Sequence, residues 1–214
     1  VQHLLITFHH IISDGTSGTI FFRDLFQYLD DSMAAPVAPP CSNSSPLPSA
    51  LEKRLPKRVR GWRSVGCIIR TVRYYRRHDK LCGLPTPTPV NEEFRDASQV
   101  SSVLINEFDR EFTLKLIERS RHNQTTVHGA LSAAICLEMA SKLGAGKRVS
   151  INHRSAVNLR SELQPAVEDE IGFFVSVLYA RALLSGQEDF WDIARQVRMQ
   201  HQSIRALDGH MGMS

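Results

Sequence analysis

The residues best suited to chemistry lie within the stretch "FHHIISDGTSG", residues 8–18. It holds two adjacent histidines, His9 and His10, followed by Asp14 and Gly15. Imidazole has an ordinary pKa near physiological pH, so a neutral histidine can take a proton from a hydroxyl or an amine. This stretch is therefore the first candidate for a reactive site.

Three interpretations of these four residues are open. Two imidazoles and a carboxylate are good metal ligands, but neighbouring side chains on a strand point to opposite faces, which argues against His9 and His10 reaching one ion. In a structural interpretation, His9 faces the core and Asp14 caps a turn or helix. In the third, one histidine is a general base at a cavity, and Gly15 permits a sharp bend with positive φ.

The hydrophobic pattern predicts the elements that position this stretch. Residues 1–9 are apolar and predict a strand that ends at the histidines. After the motif, Thr16 or Ser17 can cap an amphipathic helix. The apolar face of that helix comprises Phe21, Phe22, Leu25, Phe26 and Leu29.

Two segments of unusual composition follow this helix. Five prolines and several serines in residues 33–50 predict a linker or a long surface loop. Residues 51–80 hold eleven Lys or Arg against two acidic residues, a net charge of +9 in a chain whose total is +4. The second half of this basic segment predicts a helix, which the prolines of residues 84–89 end. Its expected apolar stripe comprises Val65, Ile68, Ile69, Val72 and Tyr75.

The rest of the chain alternates between strand and helix patterns. Small residues in the middle of this region predict close helix packing, and the last helix places Phe190, Ile193, Ala194 and Val197 on one side. The mixture predicts an α/β (α+β layered) fold with helices flanking a mixed sheet. Strands are predicted at residues 98–108, 148–153 and 171–183, and helices at residues 109–123, 125–143 and 189–207.

Several classes of protein are disfavoured. No apolar run is long enough to cross a bilayer and no signal peptide begins the chain, so we expect a cytoplasmic protein without a transmembrane segment. The cysteines lack CxxC spacing and predict neither a zinc site nor a disulfide framework. His128 and His153 are predicted to be structural, and the start at Val1 within a strand pattern indicates the middle of a longer polypeptide. The cysteines are Cys41, Cys67, Cys82 and Cys136.

Residues 9–15 resemble the HHxxxDG motif of the CoA-dependent acyltransferase superfamily, which includes peptide condensation domains, alcohol acyltransferases and polyketide-associated acyltransferases. Residues 171–181, "IGFFVSVLYAR", resemble the "IGxFVNTLxxR" strand of condensation domains. Residues 155–165, "SAVNLRSELQP", resemble the "VDLRxxLxP" segment of the alcohol and diester-forming branch. Residues 108–140 resemble the superfamily's helix followed by "xxTxxxxLxAAxxxxL".

The resemblance implies a chloramphenicol-acetyltransferase-like fold, in which two lobes enclose a channel. This chain would be a partial copy of such an enzyme, without the remainder of its own first lobe. Residues 1–32 would end the first lobe and carry the motif, residues 33–97 would be the linker and basic helical segment, and residues 98–214 would form an incomplete second lobe.

The resemblance also implies roles for single residues. His10 becomes the general base, while His9, Asp14 and Gly15 support the geometry of the site. Gly172 and Ser176 become candidates for lining the substrate channel, with Ser176 standing where condensation domains have Asn. Asp14 is expected to pair with a distant arginine, for which Arg154 and Arg160 are the candidates. No metal and no permanently bound cofactor is implied.

The implied reaction moves an acyl group from a CoA or phosphopantetheinyl carrier-protein thioester to an acceptor hydroxyl. The absence of a "YxDFAVWQ" motif between residues 31 and 98 favours this ester formation. The alternatives are amide-forming condensation with an amine acceptor and an inactive truncated docking module. Expected partners are the thioester donor, an acyl or peptidyl carrier protein and the acceptor, but not nucleic acid. The basic residues 51–80 form a solvated face, or a docking surface for CoA phosphates or an acidic carrier protein, or a nucleic-acid or membrane surface.

Overall fold

The computed structural model describes residues 4–34, 49–81, 104–144 and 146–211. Within these ranges, short 3-10 turns occur at Lys57–Val59 and Arg160–Glu162. The helices predicted from periodicity are confirmed, and the last three begin and end within two residues of expectation. The elements are α1 (Gly15–Ala34), α2 (Leu51–Arg54), α3 (Trp62–Leu81), α4 (Arg110–His122), α5 (Val127–Gly144), β1 (Val149–Asn158), β2 (Val175–Leu184) and α6 (Phe190–Ala206).

Aspartate caps fix where two of these helices begin. The side chain of Asp109 accepts a hydrogen bond from Phe112 N at 2.6 Å at the start of α4. Asp189 accepts one from Asp192 N at 2.9 Å at the start of α6. Each carboxylate satisfies a backbone N–H that has no partner inside the helix, which explains why the chain turns helical at these points.

Strands β1 and β2 form an antiparallel pair. Leu159 N, just after β1, donates to Phe174 O, just before β2, at 2.9 Å, so the end of one strand faces the start of the other. Alternate residues of β2 are buried, as expected for a strand with one face on the core. The strand predicted at residues 148–153 is longer than expected, because β1 continues to Asn158.

Two other predicted strands are not observed. Residues 4–9 and 104–108 have no strand structure, and Leu5 and Leu104 are each 92% exposed. A strand needs a hydrogen-bonded neighbour, and no described residue pairs with either segment. Residues 1–3 and 98–103 of these predictions lie outside the described residues.

The predicted linker is shorter than expected at its start. Helix α1 continues to Ala34, so Met33 is helical rather than part of the loop. Residues 35–48 and the prolines of residues 84–89 lie outside the described residues. Of the helices that the structure describes, none is long and apolar enough to span a bilayer.

The chain divides into two compact units that alternate along the sequence. The first unit comprises Val1–Ile68, Ala156–Val177 and His210–Ser214, and the second comprises Ile69–Ser155 and Leu178–Gly209. The parts predicted from the sequence, residues 1–32, 33–97 and 98–214, are instead each continuous along the chain. That division stays a prediction.

The first unit has an apolar core built largely from the turn after β1 and from the segment around α2. Its fully buried members include Leu159 and Met211, which are 0% and 2% exposed. Leu51 and Leu55 pack against this cluster from α2 and its C-terminal end. The buried members are Val59, Cys67, Leu159, Leu163, Val167, Phe174 and Met211.

The second unit packs α5 and α6 against strand residues. The predicted close approach of α5 is confirmed, because a Cβ added at Gly129 would lie 2.9 Å from Ala194 O. Thr125 Oγ1 also donates to Ala194 O at 2.9 Å. The buried apolar residues are Ala133, Cys136, Ala140, Ile151, Ala180, Ala182, Leu184, Ile193, Ala194 and Val197.

The predicted apolar stripe of α3 lies on the helix but is mostly exposed. The buried positions of this helix are Cys67 and Thr71, at i and i+4. Four of the five predicted stripe residues are exposed instead, by 38% to 52%, and Tyr75 is half-buried. The apolar stripe lies beside the buried face rather than on it, which periodicity alone does not distinguish. The exposed residues are Val65, Ile68, Ile69 and Val72.

Candidate active site

Residues 9–13 form a tight turn rather than the end of a strand. Ile12 N donates to His9 O at 3.1 Å, and the Ser13 hydroxyl donates to the same oxygen at 3.1 Å. His9 is exposed, and its Nδ1 accepts a hydrogen bond from Ile11 N at 3.2 Å. The expectation that His9 faces the core is therefore wrong, because the alternation of a strand does not apply within a turn.

One ring nitrogen of His10 is fixed by this turn. His10 Nδ1 lies 2.8 Å from Ser13 O, and a carbonyl oxygen can only accept, so Nδ1 carries the proton in this contact. In the neutral ring, Nε2 is then the basic nitrogen, and no hydrogen bond from the described residues occupies it. The ring also meets Phe173 edge to face, with centroids 5.6 Å apart.

An open concavity of about 290 Å³ lies at this turn, lined by Phe8, His10, Ser13, Asp14 and Gly15. Gly15 is the first residue of α1 and is not among the glycines with positive φ, so its expected role in a sharp bend is wrong. A Cβ added there would meet no heavy atom within 4 Å. Gly15 therefore leaves space at the concavity rather than relieving backbone strain.

Asp14 is the residue that caps α1, where Thr16 or Ser17 was expected. Its Oδ1 accepts from Ser17 N at 2.8 Å, three residues on, and its carbonyl accepts from Gly18 N at 3.2 Å. A carboxylate at this position satisfies an orphan N–H and also lies at the positive end of the helix dipole. The structural interpretation of Asp14 as a helix cap is confirmed.

A buried ion pair joins this cap to Arg160. Arg160 Nη2 lies 3.0 Å from Asp14 Oδ1 and 3.2 Å from Oδ2, and the two residues are only 4% and 5% exposed. Arg160 Nη1 donates to Glu170 O at 2.6 Å, and its guanidinium lies 4.5 Å from the Phe174 ring centroid. The expected arginine partner of Asp14 is thus Arg160, whereas Arg154 lies over the ring of Tyr179.

Ser17 completes this arrangement and was not identified from the sequence as a site residue. Its hydroxyl accepts from Gly172 N at 3.0 Å and from Arg160 Nη2 at 3.1 Å. It also lies 2.8 Å from Asp14 Oδ1 and from Gly172 O, to one of which it donates its single proton. We call these residues the Asp14 cluster: Asp14, Ser17, Arg160, Gly172 and Phe174.

Hydrogen bonds keep Asp14 ionised despite its burial. Burial by itself raises the pKa of the carboxyl group. The bonds from the backbone and hydroxyl of Ser17, from Phe174 N at 3.1 Å and from Arg160 outweigh that effect, so the pKa of Asp14 lies below its ordinary value. The cluster can therefore hold a charged pair at the base of the histidine turn.

The two channel candidates have structural contacts. A Cβ added at Gly172 would lie 2.6 Å from Phe174 Cε2, so this position has no room for a side chain. Ser176 is 4% exposed, and its hydroxyl donates to His210 O. The His210 ring in turn lies 2.7 Å from a carboxylate oxygen of Glu162. The expectation that Gly172 and Ser176 line a channel stays a prediction.

A second polar cluster lies in the second unit. His128 Nε2 and His153 Nε2 each lie 2.9 Å from Ser155 Oγ, and Ser132 Oγ lies 3.0 Å from His153 Nε2. The His201 ring centroid is 5.6 Å from that of His128 and 6.4 Å from that of His153. We call this group the imidazole cluster. It brings His128 and His153 together with His201, which was not identified from the sequence, and the structural interpretation of His128 stays a prediction.

Burial favours the neutral form of the His153 and His201 rings. It lowers the pKa of His153 and lowers that of His201 to about 4, with smaller contributions from the neighbouring imidazoles. His201 is 9% exposed, and its Nε2 has no hydrogen-bond partner among the described residues. Within the described ranges, no three His, Cys, Asp or Glu side chains are arranged to hold a metal ion.

Comparison with known proteins assigns the chain to a family. The model of the C-terminal part of phthiocerol/phthiodiolone dimycocerosyl transferases matches residues 97–204, half of the chain. The chain belongs to this family. The dimycocerosyl transferase match includes β1, β2 and α4 to α6, and Arg160 with them, but not the histidine turn.

The similarity to individual proteins extends over nearly the whole chain. The nonribosomal peptide synthetase CymA of Salinispora arenicola is 28% identical over 207 residues, which are 91% of this chain and 2% of that protein. Polyketide synthase associated protein 5 from Mycobacterium tuberculosis superposes with a TM-score of 0.59 at 19% identity. The condensation domain that mediates chain release from the enacyloxin polyketide synthase superposes with a TM-score of 0.55 at 19% identity.

These likenesses confirm the predicted fold class and the assignment to the acyltransferase and condensation-domain superfamily. The two structural matches cover 96% and 94% of this chain. The chain spans 49% and 36% of the lengths of those two structures. The two solved structures therefore share the fold of this chain.

Proposed function

We propose that the chain is part of an acyltransferase in which His10 is the general base. The observation that carries this proposal is the bond between His10 Nδ1 and Ser13 O, at 2.8 Å. It assigns the ring proton to Nδ1 and leaves Nε2 as the acceptor, on a residue that lines the open concavity.

In the proposed reaction, His10 Nε2 takes the proton of an acceptor hydroxyl while the acceptor oxygen attacks the carbonyl carbon of a thioester. A C–O bond forms and the C–S bond breaks. The sulfur then leaves as a thiol after it receives the proton from the imidazolium. The acyl group passes directly between donor and acceptor, so no nucleophilic serine or cysteine is needed.

The other motif residues hold this base in place. His9 and Ser13 close the turn through the His9 carbonyl. Asp14 anchors the end of the same turn to α1 and to Arg160. This division into one reacting histidine and several supporting residues agrees with the roles that the resemblance implies.

The donor is a thioester of CoA or of a phosphopantetheinyl carrier protein, and no permanently bound cofactor takes part. The name of the matched family, a dimycocerosyl transferase, favours an acceptor hydroxyl and an ester product. The similarity to a nonribosomal peptide synthetase favours the second candidate, an amine acceptor and an amide product. Parallel assays with an alcohol and an amine distinguish the two.

The test measures thiol release from acyl-CoA thioesters in the presence and absence of the acceptor. We expect His10→Ala to lower the acceptor-dependent rate by about 10²- to 10⁴-fold, the usual contribution of a general base. His9→Ala is the matched control, since it removes the neighbouring exposed imidazole and should retain most of the rate. Both variants should unfold at nearly the wild-type temperature, because neither ring is buried.

Two results would contradict the proposal. One is an acceptor-dependent rate that His10→Ala leaves unchanged. The other is a full-length protein containing this chain that folds but releases no thiol with any donor and acceptor, which would support an inactive docking module instead.

A further inference from the structure

The solvent side of α3 carries a row of apolar side chains that takes no part in the proposed reaction. These side chains lie in the first three turns of the helix, outside the face that buries Cys67 and Thr71. They are between 38% and 92% exposed, which is unusual for so many large apolar residues side by side. We call them the exposed α3 stripe: Trp62, Val65, Ile68, Ile69 and Val72.

Arginines line one edge of this stripe. Arg63 and Arg70 directly follow Trp62 and Ile69 in the chain, so each lies about 100° round the helix from a stripe residue. Arg77 comes seven residues after Arg70, about two turns on, and continues the same row. The three arginines are exposed, and none forms an ion pair with another described residue. The solvent side of α3 therefore combines an apolar row with a cationic row.

The surrounding charge has one sign. Residues 51–80 carry a net charge of +9, and their two acidic residues are Glu52 and Asp79. Asp79 is already paired with Arg181. The potential around the exposed α3 stripe is thus positive, and it attracts an anionic partner.

Helix α5 has exposed apolar residues without this charge. Leu131 and Ile135 are 48% and 52% exposed. The charged residues of α5 are Glu138 and Lys142, and they form an ion pair with each other. The pairing of an exposed apolar row with a cationic row therefore distinguishes α3 from an apolar helix surface of the same chain.

An anionic bilayer surface fits both rows of α3. Tryptophan and aliphatic side chains enter the boundary between headgroups and acyl chains, while arginines bind the lipid phosphates. A helix that is apolar on one side and basic beside it lies in the plane of this interface, and none of the described helices is suited to span a bilayer. Nucleic acid also offers phosphates, but isoleucine and valine have no aromatic face to stack on its bases.

We propose that α3 binds the surface of an anionic phospholipid membrane. The exposed α3 stripe enters the headgroup region, and Arg63, Arg70 and Arg77 contact lipid phosphates. This inference goes beyond the proposed function, because membrane binding requires neither His10 nor a thioester.

The experiment is co-sedimentation of a full-length protein containing this chain with two kinds of vesicle, phosphatidylcholine alone and equal parts phosphatidylcholine and phosphatidylglycerol. We expect binding to the anionic vesicles that weakens as salt rises, and binding to the neutral vesicles that is at least about tenfold weaker. Ile69→Asn should weaken anionic-vesicle binding about fivefold, because it removes apolar area from the interface. Arg70→Gln should also weaken it about fivefold, the effect of one cation near an anionic surface.

Ile135→Asn provides the matched control for Ile69→Asn. Both isoleucines lie on helices and both are 52% exposed, so both variants should unfold near the wild-type temperature. Arg119→Gln is the control for charge, since it removes an exposed arginine from α4. Each control should change vesicle binding less than twofold.

Four results would overturn the proposal. Two are the absence of binding to anionic vesicles and equal weakening by Ile69→Asn and Ile135→Asn. The third is a wild-type protein that self-associates in sedimentation equilibrium and an Ile69→Asn variant that is monomeric, which would assign the exposed α3 stripe to a second copy. The fourth is a DNA duplex that binds more tightly than the anionic vesicles. Thiol release measured in the same variants tests the proposed function separately.

Discussion

The Asp14 cluster and the imidazole cluster are both polar, but the buried groups at their centres, the Asp14–Arg160 pair and His201, accommodate burial differently. In the Asp14 cluster, both groups of the central pair carry charge. Asp14 Oδ1 has three partners and Oδ2 has two, at 2.8–3.2 Å. An ionised carboxylate costs several kcal/mol to bury unless its oxygens are satisfied, which explains why each is.

The imidazole cluster contains no carboxylate. Its hydroxyls bond two of the rings, while Nε2 of His201 has no hydrogen bond among the described residues. Burial has instead shifted the protonation equilibrium of His201 towards the neutral ring. A group that can become neutral tolerates an unsatisfied atom at a cost of about 1–3 kcal/mol. In the Asp14 cluster both carboxylate oxygens are bonded, whereas Nε of Arg160 has no hydrogen-bond partner among the described residues.

The largest predicted effect comes from removing the cation of the Asp14 cluster. Arg160→Met keeps an unbranched side chain but leaves the Asp14 carboxylate buried without its counter-ion, so we expect a loss of about 3–5 kcal/mol in the free energy of unfolding. Urea denaturation measures this loss. Arg154→Met is the matched control, because Arg154 is exposed and its contact among the described residues is with the Tyr179 ring. It should cost less than about 1 kcal/mol.

A double variant tests whether the loss comes from the unpaired charge. Asp14→Asn combined with Arg160→Met should cost clearly less than the sum of the two single changes, because it removes both members of the pair. Equal costs for Arg160→Met and Arg154→Met would mean that the ion pair contributes nothing to folding.

The sequence predicted the Asp14 cluster only in outline. The motif spacing indicated that Asp14 supports a turn, and two arginines were candidates for its partner. The choice between them depends on the end of β1, where Arg154 is still on the strand and Arg160 lies in the following turn, 4% exposed. Ser17 carried one detectable signal, its position three residues after the cap, where a backbone N–H needs an acceptor.

The other differences between the sequence-based predictions and the structure have separate physical causes. Strands at residues 4–9 and 104–108 depended on neighbours that local patterns do not specify, whereas α4, α5 and α6 are defined by local periodicity and caps. The buried face of α3 was not identified from the sequence, because its members Cys67 and Thr71 are small and weakly hydrophobic. His201 was missed because a histidine on an amphipathic helix resembles any other polar-face residue.

The next largest effect is the dependence of stability on pH. The pKa of His201 is about 4 in the folded chain and 6.5 in the reference state, so the unfolded chain binds more protons between these values. Stability should therefore fall as pH decreases from about 6.5 to about 4, by roughly 2–3 kcal/mol in total. The lowered pKa of His153 adds a loss in the same direction.

The Asp14 cluster has a different pH window. Its carboxyl pKa is lowered from 3.8, so its contribution is present above that value and is lost only as pH falls below it. Denaturation curves between pH 7 and pH 4.5 should thus report the imidazole cluster without a contribution from Asp14. His201→Phe should flatten the dependence in this range, while an unchanged slope would exclude His201 as its source.

The smallest predicted effect comes from two matched substitutions that each remove a buried serine hydroxyl, Ser17→Ala and Ser132→Ala. Both serines lie in helices, and they are 1% and 2% exposed. Loss of the Ser17 hydroxyl deprives Gly172 N and Arg160 of an acceptor, so we expect a cost of about 2 kcal/mol. Loss of the Ser132 hydroxyl leaves His153 Nε2 with its bond to Ser155, and we expect a cost below about 1 kcal/mol.

The helix propensity change is the same in both serine variants, so their difference isolates the hydrogen bonds. Thermal or urea unfolding of the two variants measures that difference directly. A larger loss for Ser132→Ala would reverse the comparison, because it would mean that the neutral cluster depends more on complete hydrogen bonding than the charged one. The expected order follows from charge. The Ser17 hydroxyl accepts a hydrogen bond from the charged guanidinium of Arg160 and so replaces water that this cation would otherwise bind, whereas the neutral imidazole beside Ser132 loses less by burial.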